Sequence, residues 1–172
     1  MSKVSFAQLV EYCAAQRLPY QAHEADGVVI MALPGAQGTY VVSFRLIEER
    51  DVVLVRASSL LTVPPERRAV LAQAACHVNS RILLGAFGLD LTNGTLGLDL
   101  PLPYDGVGLS PVQVERCLAA IGWTLDTHLP TLQRLCWTQE TVEEALGLPV
   151  TSPLRGLLDT LPSPDEPLSE SA

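Results

Sequence analysis

The fold is decided by residues 63–102, which read VPPERRAVLAQAACHVNSRILLGAFGLDLTNGTLGLDLPL. The stretch begins with two prolines, which a helix tolerates in its first turn, and apolar residues at helical spacing follow. Gly85 is the predicted helix end, because glycine favours the position just past a helix C-terminus. The sequence therefore predicts a helix followed by a β-hairpin. The buried stripe of the helix is expected to consist of Val70, Leu71, Ala74, Ala75, Val78 and Ile82.

The Asn93-Gly94 dipeptide predicts a two-residue type I′ hairpin turn, because both central residues of that turn need a positive φ. On either side of the turn, apolar residues alternate with glycine or aspartate. One face of the ribbon should therefore pack on a core, while the other face carries Gly88, Asp90, Gly97 and Asp99. The turn predicts four pairs: Thr92 with Thr95, Leu91 with Leu96, Leu89 with Leu98, and Phe87 with Leu100.

Three predicted strands precede this stretch, at residues 27–33, 39–47 and 51–60. The short connections between them predict an antiparallel meander. If Ile47 faces Val52, one face of the last two strands is apolar throughout and belongs to the core. The opposite face is mixed, and either a helix of the same chain or a partner would cover it. Its residues are Val41, Ser43, Arg45, Ile47, Val52, Leu54, Arg56 and Ser58.

After the hairpin, the sequence predicts one long helix and one short helix. Ser110 and Gln113 form a capping box at the start of the long helix. Pro130 removes a backbone hydrogen bond inside it and is expected to cause a kink. The short helix is predicted at residues 139–146 and ends at Gly147.

The chain therefore divides into an α+β domain at residues 1–137, an additional short helix at 138–147 and a tail at 148–172. The tail is acidic and rich in Pro, Ser and Leu, and its end is predicted to be disordered. Part of the tail can dock on its own domain or on another chain, because four of its leucines have helical spacing. These are Leu154, Leu157, Leu158 and Leu161.

The composition predicts a globular protein of ordinary domain size, with 172 residues, 48% hydrophobic and 17% charged. The net charge of −8 is concentrated at the C-terminus, since residues 1–137 carry −2 and residues 138–172 carry −6. Direct nucleic-acid binding is not expected, because it requires a basic surface. The sequence contains neither an apolar run long enough to span a bilayer nor a signal-peptide core. A cytoplasmic protein without a membrane partner is therefore expected.

The sequence contains no recognisable catalytic or metal-binding motif. The four cysteines form no C-x-x-C, the three histidines form no H-x-x-x-H, and neither a nucleophile elbow nor a phosphate-binding loop occurs. We therefore expect no enzymatic activity, no cofactor and no metal. One carboxylate pair, Asp90 and Asp99, would lie diagonally across the hairpin, roughly 7–8 Å apart. Ion pairing with Arg45 or Arg56 is favoured over cation binding, which needs more oxygen ligands.

The order of elements is helix, three strands, helix, two strands and long helix. Together with Asn79, residues 85–90 (GAFGLD), the turn at 93–94 and residues 109–111 (LSP), this order resembles the YbjN-like family of proposed bacterial sensory-transduction regulators. The resemblance covers about residues 1–137. It implies a fold similar to class I type III secretion chaperones, which is α+β with an antiparallel sheet of about five strands packed with three main helices.

The resemblance also has implications for function. It implies a small, acidic, non-catalytic domain that forms homodimers and can hold segments of other proteins. Asn79 would cap backbone groups where the helix meets the hairpin. A chaperone-like or adaptor protein, acting in a regulatory or stress pathway through apolar surface on its sheet or helices, is the first functional hypothesis. The expected partner-binding residues are Val41, Arg45, Ile47, Val52, Leu54, Arg56, Asp90 and Asp99.

Two further expectations concern specific surfaces. Gly88 and Gly97 leave one hairpin face thin, which either admits a basic amphipathic partner segment beside the two aspartates or only permits strand twist. The alternative functional hypothesis is a regulator that senses a small ligand in a pocket between the sheet and the long helix. Trp123 and Trp137 near Pro130 suggest such a pocket.

Overall fold

The computed structural model of the protein describes residues 6–104 and 109–148. The helices in this part of the chain are α1 Phe6–Ala15, α2 Arg68–Asn79, α3 Pro111–Trp137 and α4 Val142–Leu146. The strands are β1 Tyr20–His23, β2 Val28–Gly35, β3 Gly38–Ile47, β4 Val52–Thr62, β5 Ala86–Leu89 and β6 Thr95–Pro103.

The strands form one antiparallel sheet of six strands in the order β1-β2-β3-β4-β6-β5. This arrangement confirms the predicted α+β class, with a meander followed by a hairpin. The described residues contain one strand more than the sequence predicts. That strand is β1, whose four residues are all exposed, so the alternation of apolar and polar residues that marks a strand is missing there.

The predicted register of β3 and β4 is confirmed, with Ile47 opposite Val52. One face of these strands is buried to 6% exposure or less at Tyr40, Val42, Phe44, Val53, Val55 and Ala57. Successive residues of a strand point to opposite faces, so the apolar alternation in the sequence is sufficient to assign the core face.

The described helices pack on this buried face. α3 contacts β2, β4 and β6, α1 contacts β2, and α2 contacts β5 and α3. The buried stripe of α3 includes Leu118, Ile121, Leu125, Leu129 and Leu132. The described residues therefore form two layers, with the sheet on one side and the helices on the other. None of these helices lies on the opposite face of the sheet.

The predicted hairpin register is wrong by two residues. Phe87 pairs with Leu98 and Leu89 with Leu96, so Leu91 lies in the loop and is 60% exposed. The loop is longer than a two-residue turn because the Asp90 carboxylate organises it. Asp90 accepts hydrogen bonds from the Thr92 N–H at 2.8 Å, the Thr92 hydroxyl at 2.6 Å and the Asn93 amide at 2.7 Å. A shift of two residues leaves every side chain on its predicted face.

α2 is shorter than the sequence predicts. It begins at Arg68 after a 3₁₀ turn at Pro65–Arg67 and ends at Asn79, where the Ser80 N–H bonds the Cys76 carbonyl. Gly85 therefore does not end the helix. Ile82 packs against the core from the connection that leads to β5.

The predicted start of α3 is confirmed, because Ser110 and Gln113 form the capping box. Pro130 lies inside α3, which continues to Trp137. The short helix is shorter than the predicted 139–146. It begins at Val142 and, as predicted, is closed at its end by Gly147 with φ 61°.

The residues just before α4 are held in a non-helical arrangement. The Glu140 carboxylate pairs with Arg134 at 2.9 Å. The backbone carbonyl of Glu140 accepts a hydrogen bond from the Arg67 side chain at 3.1 Å. Thr141 and Glu144 then form a capping box, so the helix starts after Thr141. The predicted tail is residues 148–172, and all of it after Leu148 lies outside the described residues.

Candidate functional site

The candidate site is the sheet face opposite the helices, called here the open face. On β2, β3 and β4 it consists of the residues that alternate with the buried ones, and Gly97, Asp99 and Pro101 of β6 continue it. Seven of the eight predicted partner-binding residues lie on it, and only Asp90 does not. The open face comprises Val28, Ile30, Val41, Ser43, Arg45, Ile47, Val52, Leu54, Arg56, Ser58, Gly97, Asp99 and Pro101.

The register of the strands arranges the open face in rows. One row runs across the sheet through Ile30, Ser43, Arg56 and Asp99, and the next runs through Val28, Arg45, Leu54 and Pro101. Each arginine therefore has an aliphatic side chain beside it in the neighbouring row or strand. The surface is mainly aliphatic but carries two guanidinium groups near its centre.

Arg56 and Asp99 form a two-pronged ion pair on this face. Arg56 Nε donates to Asp99 Oδ1 and Arg56 Nη2 donates to Asp99 Oδ2, each at 2.6 Å. The hydrogen bond to Asp99 raises the pKa of Arg56. One of the two predicted pairings of Asp99, with Arg56, is thus realised. Both side chains remain partly exposed, so the pair contributes only about 0–1 kcal/mol to stability.

Arg45 differs from Arg56 because no carboxylate in the described part of the chain pairs with it. Its side chain is exposed next to Leu54 in the adjacent strand. The ionisable side chains on the open face are therefore Arg45 and the ion pair of Arg56 with Asp99, and His23 of β1 lies beside Val28. Glu48, Glu49 and Asp51 lie in the exposed turn next to Ile47. Arg45 is thus the single guanidinium on the open face without a carboxylate partner among the described residues, and carboxylates flank the face.

Asp90 does not lie beside Asp99 as predicted. The Asp90 N–H donates a hydrogen bond to the Thr95 carbonyl at 3.0 Å, so Asp90 lies beside Thr95. Thr95 is four residues before Asp99 on β6, which separates the two aspartates by about 13 Å along the strand. Hydrogen bonds from the Thr92 hydroxyl and N–H lower the pKa of the Asp90 carboxyl. The Asp90 carboxylate thus stabilises its own loop, and the predicted pairing of Asp90 with Asp99 is wrong.

Shallow depressions shape the open face, and two of them border Arg56. One of ≈ 310 Å³ lies over β2, β3 and β4, between Ile30, Val41 and Leu54. The second, of ≈ 460 Å³, is more polar and lies where Gly88 and Gly97 leave the surface thin. Arg56 borders both depressions, and Asp90 borders only the second. The open face is therefore a broad shallow surface, which suits an extended or helical segment better than an enclosed small molecule.

Among the described residues, the two tryptophans lie on the surface rather than around the pocket predicted for a ligand. Trp123 is 63% exposed and Trp137 is 68% exposed. The rings of Trp123 and His128 are nearly perpendicular, with centroids 6.2 Å apart. A cavity of ≈ 260 Å³ does lie between the sheet and α3, but Tyr40, Leu129 and other residues line it instead.

The remaining side chains offer little chemistry. Within residues 6–104 and 109–148, no group of three His, Cys, Asp or Glu residues could hold a metal ion. Burial raises the pKa of the Cys13, Cys117 and Cys136 thiols, which makes them poorer nucleophiles. No helix of the same residues is long and apolar enough to cross a membrane.

The predicted role of Asn79 is confirmed. Its amide Nδ2 donates to the Phe87 carbonyl at 3.0 Å, and its Oδ1 accepts from the Phe87 N–H at 2.7 Å. The side chain therefore pairs with the outer edge of β5 as a neighbouring strand would. Sequence reasoning missed one long-range contact, in which the Tyr40 hydroxyl donates to Asp126 at 2.7 Å.

Comparison with known proteins agrees with this fold. The family model YbjN, described as "Putative bacterial sensory transduction regulator", matches residues 5–134. The crystal structure of YbjN from E. coli is 17% identical, with a TM-score of 0.54 over 71% of this chain and 89% of that chain. A chain of the ExsC–ExsE complex is 22% identical, with a TM-score of 0.53 over 81% of this chain and 100% of that chain. No curated protein matches.

At these identities the solved structures show the fold alone. They confirm the expected α+β fold of the YbjN and secretion-chaperone type. The family and the two structural neighbours are non-enzymatic kinds of protein.

Proposed function

We propose, since this chain belongs to the YbjN family, that it is a non-catalytic, cytoplasmic adaptor or chaperone-like protein that binds a segment of a partner protein. The open face is the proposed binding surface. Its residues Val41, Arg45, Ile47, Val52, Leu54, Arg56 and Asp99 make the contact, and Asp90 lies at the border.

The observation that carries this proposal is the contrast between the two faces of one sheet. The helices bury core residues such as Val42 and Val55 on one face to 0% exposure, whereas Val41 on the other face is 52% exposed. An aliphatic surface of this extent, interrupted by arginines, has the composition of a protein-binding surface. The similarly folded protein in the ExsC–ExsE complex was solved together with a protein partner, which adds support at the level of the fold.

The test is affinity purification of the tagged full chain from its native cells. Ile47→Asp combined with Leu54→Asp places two carboxylates on the open face without touching the core. Both side chains are only partly exposed, and a partner that covers them would have to bury the new charges. We expect the variant to recover at least about tenfold less partner than the unaltered chain.

The matched control combines Leu83→Asp with Val112→Asp. These side chains are 98% and 53% exposed, and neither lies on the open face. We expect this variant to recover the partner normally, with thermal unfolding measured for both variants to verify the fold. Equal recovery by all three proteins, or no stoichiometric partner in repeated preparations, would contradict the proposal.

We also propose that two copies associate, and the two edges of the sheet support this. The β5 edge is closed by Asn79, whereas β1 pairs only with β2 among the described strands and its residues are exposed. An open strand edge readily pairs with another chain. Light scattering over a range of concentrations should give twice the mass of one chain. A constant single-chain mass would rule out the dimer.

A further inference from the structure

We infer that two copies of the chain pair through β1, in antiparallel orientation and with Gln21 of one copy opposite Gln21 of the other. The inference rests on the proposed function, because it assigns a register to the association proposed there. It also makes the second copy part of the binding surface, since the two open faces then become one.

The free edge of β1 carries backbone groups that point away from the sheet. In an antiparallel pair, residues that are bonded to the neighbouring strand alternate with residues that are not. The Ala32 N–H donates to the Pro19 carbonyl at 3.2 Å, so β1 bonds β2 through Pro19 and every second residue after it. The N–H and C=O groups of Tyr20 and Ala22 therefore point to the free edge.

These groups select one register. Pairing Tyr20 of each copy with Ala22 of the other uses all of them and leaves Gln21 opposite Gln21 at the centre. A register centred on Tyr20 would need the Leu18 N–H, which already donates to a carbonyl of α1 at 3.0 Å. A register centred on Ala22 would need Glu24 in an extended conformation, but Glu24 begins a 3₁₀ turn.

The surroundings of β1 leave room for a second copy. All four residues of β1 are exposed, and β1 pairs only with β2 among the described strands. Tyr20 lies opposite the buried Met31, on the helical side of the sheet, and is 37% exposed. In the register centred on Gln21, each Tyr20 ring lies beside Ala22 of the other copy. A large side chain thus meets a small one.

The charges that flank β1 favour the antiparallel orientation. Arg17 precedes the strand, Glu24 and Asp26 follow it, and all three are exposed. Antiparallel pairing brings the basic end of each strand towards the acidic end of the other, whereas parallel pairing would place like charges side by side. The edge is therefore complementary to itself, which favours a second copy over an unrelated strand.

The pairing joins the two open faces. The two-fold axis of two identical antiparallel strands is perpendicular to their sheet, so both open faces lie on the same side. Gln21 and His23 are on this side, because they lie opposite Ile30 and Val28. A shallow depression of ≈ 390 Å³, lined in part by Gln21, Ile30 and Val41, then lies beside the second copy. A segment of the partner protein can therefore cross from one copy to the other.

Disulfide crosslinking tests the register. Gln21→Cys should crosslink two copies on mild oxidation, because the α-carbons at the centre lie about 4.5 Å apart, within the range of disulfides. His23→Cys is the matched control on the same strand and face, since the two copies of that position lie about 13 Å apart along the strands. Both variants carry Cys76→Ser, because Cys76 is exposed and the other three cysteines are buried. We expect Gln21→Cys to crosslink at least about tenfold faster.

A second pair of variants tests the backbone hydrogen bonds. Ala22→Pro removes an N–H that points to the free edge, a position at which an edge strand tolerates proline. Ala22→Ser keeps this N–H and is the matched control. The edge is short, so the association should depend on concentration. Where light scattering gives the unaltered chain twice the single-chain mass, we expect the single-chain mass for Ala22→Pro and the double mass for Ala22→Ser. Thermal unfolding verifies that both variants are folded.

Equal crosslinking of Gln21→Cys and His23→Cys, or no crosslinking of either, would overturn the inference. A double mass that Ala22→Pro retains would overturn it too. If these tests fail while Ile47→Asp with Leu54→Asp still loses the partner protein, the inference alone fails and the proposed function stands. If the crosslinks form as expected but partner recovery does not depend on the open face, the proposed function fails and the pairing of β1 stands.

Discussion

Two polar side chains, Asn79 and Tyr40, join the helical layer to the sheet. Asn79 pairs with Phe87 eight residues further along, so sequence reasoning could place it at the junction of helix and hairpin. Tyr40 and Asp126 are 86 residues apart. No local pattern records their contact, because it depends on how α3 lies across the sheet. Local polar contacts were thus predictable, and this long-range one was not.

Replacing Tyr40 by Phe should lower stability in a pH-dependent manner. The hydroxyl of Tyr40 is the largest cause of the lowered pKa of the Asp126 carboxyl, followed by the Ala36 N–H. Burial and Asp126 raise the pKa of Tyr40 to about 12, so its hydroxyl stays a donor at lower pH. We expect the midpoint of urea unfolding at pH 7 to fall by about 0.5 M.

The sign of the pH dependence follows from the direction of the shift. A carboxyl whose pKa is lower in the folded state stabilises the protein above its unfolded pKa of about 3.9. This contribution is lost as pH falls through the folded pKa. The difference between the Tyr40→Phe variant and the unaltered chain should therefore shrink on acidification to about pH 2. Tyr20→Phe, at an exposed tyrosine, is the control. A difference that stays constant with pH would contradict this account.

At the level of elements, strand faces were easier to predict than strand ends. The alternation in β3 and β4 gave the correct core face and register, since a slip of one residue would bury Arg45 and Arg56. The predicted hairpin register is wrong because the Asp90 carboxylate accepts a hydrogen bond from the Thr92 N–H, which makes the loop longer. Either register keeps the leucines on the core face, so hydrophobic patterning cannot distinguish them.

The loop between β5 and β6 makes Gly94 far more sensitive to substitution than Gly88. Gly94 has φ +80°, and an added Cβ would clash with the Val63 carbonyl oxygen. Gly88, on the exposed side of β5, has no atom within 4 Å of such a Cβ. We expect Gly94→Ala to lower the free energy of unfolding by about 2 kcal/mol or more, and Gly88→Ala to change it by less than about 0.5 kcal/mol. Urea denaturation measures both, and equal losses would contradict the loop geometry.

At the scale of the whole molecule, the proposed function depends on which faces of the sheet carry exposed apolar surface and charge. The sequence predicted the mixed face of β3 and β4, but it left open whether a helix of the same chain or a partner covers that face. The structure assigns the described helices to the other side of the sheet. It also separates the two aspartates of the expected acidic patch, because Asp99 pairs with Arg56 and Asp90 is hydrogen-bonded within its own loop. Neither result follows from periodicity alone, since both depend on the three-dimensional pairing of distant residues.

The most direct test of the central claim is the ratio of partner recovered by two double variants in parallel purifications. The numerator is the variant with Ile47→Asp and Leu54→Asp on the open face. The denominator is the variant with Leu83→Asp and Val112→Asp elsewhere on the surface. The account predicts a ratio of about 0.1 or less. A ratio near one, with both variants folded, would show that the open face does not bind the partner.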